Sequence, residues 1–119
     1  MRFVKFLIIS VSCLLTALSY AAEIKTPKEL VFITSEHCPF CQAWERDVGH
    51  LYDSTPYAQH ATLRRIDFTE IAFVLPQLND TVVGTPTFLI FENGAEIGRI
   101  EGYQSSEMFF WALSKYIQP

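Results

Sequence analysis

The chain has 119 residues, half of them hydrophobic, enough for one small domain and too few for a second. Nine basic residues face thirteen acidic ones, for a net charge of −4 at pH 7. The one basic run is the pair Arg64-Arg65, which argues against nucleic acid or an anionic membrane surface as a partner.

At the N-terminus, Arg2 and Lys5 precede an uncharged stretch from Phe6 to Leu18, and Ser19-Tyr20-Ala21 then places small residues where a signal peptidase reads. Residues 1–21 therefore read as a secretory signal peptide and 22–119 as the mature domain. The stretch is shorter than the roughly 18 apolar residues of a membrane span and contains Ser10, Ser12 and Thr16, which weakens the alternative of an uncleaved anchor. Cys13 would leave with the signal. The mature chain of 98 residues keeps Cys38 and Cys41 and, having lost Arg2 and Lys5, carries a net charge of −6. It shows no internal repeat, linker or low-complexity segment and is expected to act as a monomer, free of the membrane.

Glu29 to Ser35, "ELVFITS", contains the continuous apolar block Leu30 to Ile33, which suits a strand buried on both faces. From Phe40 onward, Phe40, Trp44, Val48 and Leu51 recur at helical spacing, with Glu45, Arg46 and Asp47 opposite, until Ser54-Thr55-Pro56 ends the pattern. "ATLRRIDF", Ala61 to Phe68, reads as a second strand whose adjacent arginines suit a sheet edge. Thr69-Glu70 opens a short helix that Pro76 must cut or bend. In "TPTFLIFENGAEIGRIEGY" two strand-forming runs flank Asn93-Gly94, residues tolerant of the positive φ that a tight hairpin requires. Ser105 or Ser106 then caps a last helix, with Glu107 in its first turn and a core stripe of Phe110, Leu113 and Ile117. The order is β-α-β-α-β-β-α.

The chemistry rests on "SEHCPFCQAW", Ser35 to Trp44, where two cysteines lie two residues apart at the start of the first mature helix. A disulfide staple across so short a loop gives the least entropic stabilisation of any. A zinc site needs four ligands, and no second CxxC exists; a metal module built on Cys38, Cys41 and histidines is therefore disfavoured. A redox dithiol fits better, because export leads to an oxidising compartment. A cysteine at a helix N-terminus faces free N–H groups and the positive end of the macrodipole, which can lower its pKa from about 8.5 to roughly 3.5–7.5. Cys38 is so placed, as nucleophile; Cys41, one turn inward, is suited to resolve a mixed disulfide. Pro39 fits the first helical position, where no N–H is needed. Phe40 adds apolar surface without a donor. His37, if protonated, would favour the thiolate, against the plainer reading of a solvated loop residue. Trp44 reads as core or cleft wall, and His50 and His60 as surface.

The element order, with CxxC opening the first helix and Gly84-Thr85-Pro86 leading into the third strand, resembles the thioredoxin superfamily over essentially the whole mature chain. "CPFCQAWERDVGHLYDSTP", "LRRID", "GTPTFLIF" and "GRIEGY" further resemble the exported SoxS-type thioredoxin-like proteins linked to bacterial sulfur oxidation. The resemblance implies an α/β thioredoxin-like fold, a mixed four-stranded sheet with helices on both faces. It also implies a periplasmic thiol-disulfide oxidoreductase without cofactor or metal, acting on protein or low-molecular-weight disulfides or thiols and recycled by a redox partner. By the same resemblance, Thr85-Pro86 is joined by a cis bond across from the cysteines and forms a substrate groove. A redox-inactive adaptor binding partners beside Pro86 is the competing class. One departure stands out: many relatives carry a buried acid six residues before the first cysteine, where this chain has Phe32, leaving water or Glu36 to accept the proton of the resolving thiol.

Overall fold

The computed structural model describes residues 28–75 and 78–119, so the segment expected to be a signal peptide, with Cys13, and Pro76 lie outside the described residues. The strands are β1 (Lys28–Thr34), β2 (Ala61–Asp67), β3 (Thr87–Glu92) and β4 (Ala95–Glu101), and the helices α1 (Pro39–Asp47), α2 (Ile71–Val74) and α3 (Ser106–Leu113). They form one sheet in the order β2-β1-β3-β4. β1 and β2 are parallel, joined by α1 as a crossover, whereas β1 with β3 and β3 with β4 are antiparallel.

β1 and β3 are central, which explains their unbroken apolar runs: Leu30 to Ile33 and Phe88 to Ile90 are fully buried. Alternation divides these side chains between the two faces of the sheet. Leu30, Phe32, Phe88 and Ile90 meet α1 and α3 on one face; Val31, Ile33, Leu89 and Phe91 meet Ile66, Val82 and the α2 region on the other. Each such side chain contributes about 1.5–3 kcal/mol by leaving water. β2, with its two arginines, is an edge strand. Asn93 (φ 53°) and Gly94 (φ 77°) both lie in the left-handed region, as a two-residue hairpin turn with the twist of its strands demands.

Two core stripes meet the sequence expectation at Trp44, Val48, Leu113 and Ile117 and shift by one residue at their other positions. In the first, Phe40 is 62% and Leu51 51% exposed, and the buried face runs through Cys41, Trp44, Val48 and Tyr52. Pro39 starts the helix in a phase that turns Cys41 inward. After an irregular Val48 (φ −129°) the chain tightens into a 3-10 segment, Gly49–Ser54, in which residues three apart eclipse, so Gly49 and Tyr52 share the buried face and Leu51 turns outward; the Tyr52 hydroxyl donates to the Ala61 carbonyl at 2.8 Å. The buried stripe of α3 and the turn after it is Phe109, Leu113 and Ile117, while Phe110 is half-buried and stacks on Tyr57. Ser105 is the cap, its Oγ accepting from the Met108 N–H.

Candidate active site

β1 delivers the chain to the site. Beyond Thr34, a turn in which His37 takes a positive φ of 62° leads to Cys38, the extended N-cap residue of α1. Pro39 occupies the first helical turn, where a missing N–H costs nothing. Cys38 Sγ accepts from the Cys41 N–H at 3.2 Å, the bond that Ser or Asp oxygens make at other helix starts. Cys38 and Cys41 are joined as a disulfide with their Cα atoms 5.2 Å apart. Cys38 is 8% and Cys41 2% exposed, and both belong to the core cluster beneath α1 and α3. Cys38 is the more accessible residue of the two, and its sulfur is the one that caps the open helix end.

The second wall comes from the loop before β3. The β1–β3 register pairs Ile33 with Thr87 and so sets Gly84-Thr85-Pro86 beside the end of β1 that leads to Cys38. The Thr85–Pro86 peptide bond is cis. The Pro86 carbonyl accepts from the Gly102 N–H at 2.8 Å, and Thr87 Oγ1 donates to the Gly84 carbonyl at 2.7 Å. Ser35 Oγ and Thr85 Oγ1 are 2.7 Å apart, a hydrogen bond between the two loops.

Phe32 lies fully buried, its ring centroid 4.4 Å from Trp44 and 5.1 Å from Phe88, so aromatic packing fills the position of the missing acid. Trp44 is a core residue, with Nε1 buried and unpaired. His37 and Glu36 approach to 3.7 Å with both side chains almost fully exposed, where water largely screens any attraction between them. Phe40 projects outward at the mouth, and His50 and His60 are exposed. Among the described residues, no three His, Cys, Asp or Glu side chains gather as metal ligands would, and no helix is long and apolar enough to cross a membrane.

Two contacts of this region carry no local sequence signal. One is the Ser35–Thr85 bond. The other joins the buried Tyr103, next to Gly102, to the last residue of α1: Tyr103 Oη donates to Asp47 Oδ2 at 2.7 Å. Burial, the hydrogen bond and the nearby carboxylate together push the Tyr103 pKa up to about 12.

Residues 16–117 match the family described as a thioredoxin-like domain. Comparison with curated proteins finds no match. Among solved structures, the chain is similar to the periplasmic thioredoxin SoxS from Paracoccus pantotrophus in its reduced form, with 24% identity over 74% of this chain and 93% of that one and a TM-score of 0.64. It is also similar to Trxlp from Edwardsiella tarda, at 25% identity over 78% of this chain and 84% of that one, TM-score 0.59. The oxidised thioredoxin from Plasmodium falciparum matches at 20% identity over 75% and 80%, TM-score 0.56. These likenesses speak to the fold, a four-stranded mixed sheet with helices on both faces. With that fold, the family match and a CxxC pair closed as a disulfide at the start of α1, the chain belongs to the thioredoxin-like domain family and is a thiol-disulfide oxidoreductase.

Proposed function

We propose that residues 22–119, freed from the signal peptide 1–21, work in the periplasm to reduce disulfides of protein partners, with Cys38 as nucleophile and Cys41 as resolving thiol. The observation that carries this reading is the N-cap position of Cys38, the less buried residue of the pair, whose sulfur accepts the Cys41 N–H. In the reduced protein, the Cys38 thiolate attacks one sulfur of a substrate disulfide, forming a mixed disulfide and releasing the other substrate sulfur as a thiolate. Cys41 then loses its proton and attacks Cys38 Sγ. The second substrate thiol departs, the Cys38–Cys41 disulfide forms, and two electrons have passed from the protein dithiol to the substrate. A thiol or dithiol redox partner returns the protein to its reduced form. With Phe32 in place of a carboxylate, the Cys41 proton passes to water or to Glu36.

The groove for an extended partner segment lies beside Thr85 and Pro86. Among the described residues, Thr85 makes no backbone hydrogen bond to the rest of the chain, so its backbone groups suit strand addition. Pro39 and Phe40 form the opposite lip, and His37 adds positive charge to the mouth when protonated. The motifs shared with SoxS-type proteins support a partner within a sulfur-oxidation system.

The test is trapping. Cys41→Ser incubated with an oxidised protein substrate is expected to accumulate a mixed disulfide, and Cys38→Ser to form none and to lose exchange. Equal trapping by both variants would refute the assignment. Export is tested by mass spectrometry of the mature form.

A further inference from the structure

The β1–β3 ladder ends at the pair Ile33 and Thr87; the polar edge of the preceding residue, Pro86, faces β4, its carbonyl accepting from the Gly102 N–H. Continuing the same register by two residues puts Ser35 opposite Thr85. There a side-chain hydrogen bond, Ser35 Oγ to Thr85 Oγ1 at 2.7 Å, takes over from the backbone. It is part-buried and spans 50 residues of sequence. Ser35 is three residues before Cys38, and Thr85 immediately precedes Pro86, so the bond ties together the two loops that carry the dithiol and the groove. We propose that Ser35 is a positioning residue for the exchange reaction, its hydroxyl holding Thr85 so that the groove backbone stands at a fixed distance from Cys38. This rests on the oxidoreductase reading above.

The bond closes one side of the Thr85 side chain, and the Thr87 hydroxyl holds the neighbouring Gly84 carbonyl at 2.7 Å. Thr85 is thus fixed through its own side chain and through the residue before it, while its backbone edge is left to an incoming segment. Losing the Ser35 hydroxyl frees the loop at that point. A protein substrate that must engage groove and dithiol together feels the change; a small aromatic disulfide that meets only Cys38 feels it less.

The mature protein and Ser35→Ala are compared in reduction of insulin and of 5,5′-dithiobis(2-nitrobenzoate). The KM for insulin is expected to rise about 3- to 10-fold in Ser35→Ala, the range one neutral hydrogen bond spans, with a much smaller change in kcat. The ratio of insulin efficiency to small-disulfide rate should fall by the same factor. Ser35→Thr and Ser35→Val have nearly one shape and differ by the hydroxyl, so they ask the question even where Ser35→Ala folds poorly: Thr should restore most of the KM and Val should not. In a Thr85→Val background, Ser35→Ala should add less than twofold. Equal KM values for the Thr and Val variants, or full additivity with Thr85→Val, would overturn the proposal while leaving the dithiol chemistry standing. Wild-type protein that exchanged neither substrate would overturn the oxidoreductase reading and this inference with it.

Discussion

Tyr103→Phe removes one hydroxyl and leaves the ring, which is 6% exposed and packs edge-on against Phe109. What is lost is the 2.7 Å hydrogen bond to Asp47. Asp47 is exposed, so water replaces the tyrosine and no buried acceptor is orphaned. The cost should then sit within the ordinary net range of a hydrogen bond, about 0.5–1.5 kcal/mol. For a domain of this size each 1 kcal/mol moves Tm by roughly 4–8 °C, so the variant should melt a few degrees lower at pH 7. The pH dependence follows from the raised tyrosine pKa. The folded protein holds Tyr103 neutral up to about 12 against the ordinary tyrosine value of 10.0. The stability so gained is therefore fully present below pH 10 and is lost as pH rises through about 12. Tyr52, also raised by its burial, contributes alike to both proteins and drops out of the difference. Thermal melts of the oxidised wild type and variant should show a constant gap up to pH 10 that closes between pH 10 and 12. A gap absent at pH 7, or unchanged through pH 12, would refute the reasoning.

Gly98→Ala should destabilise by about 1–3 kcal/mol, since a Cβ there would run into the ring of Tyr116; urea unfolding gives the number. The exported form should begin at Ala22, following the small residues Ser19 and Ala21, and N-terminal mass spectrometry reads it directly.

The central strands were legible because burial on both sides writes an unmistakable run such as Leu30 to Ile33, and the hairpin because Asn93-Gly94 suits positive φ at two successive positions. The helix-start cysteines were equally plain. The phase of each helix was less so: Phe40, Cys41, Trp44, Val48, Leu51 and Tyr52 offer two apolar faces at similar spacing, and only the tightening after Asp47 decides between Leu51 and Tyr52. The same ambiguity hid Phe109 behind Phe110. Ser35–Thr85 and Tyr103–Asp47 join residues 50 and 56 positions apart. Such pairs become visible once the register of β1 on β3 and the path after Gly102 are known, since an isolated Ser or Tyr carries no periodic signal.

Thiol exchange by this protein turns on Cys38, which we propose is activated by its place at the start of α1. The direct measurement is the pH dependence of iodoacetamide modification of the reduced mature protein, with each cysteine followed by peptide mass. Cys38 should react first and titrate below about 7.5, within the range of helix-start thiols, while Cys41 stays protected at neutral pH. Preferential modification of Cys41, or a Cys38 that titrates near the ordinary value of about 8.5, would contradict it.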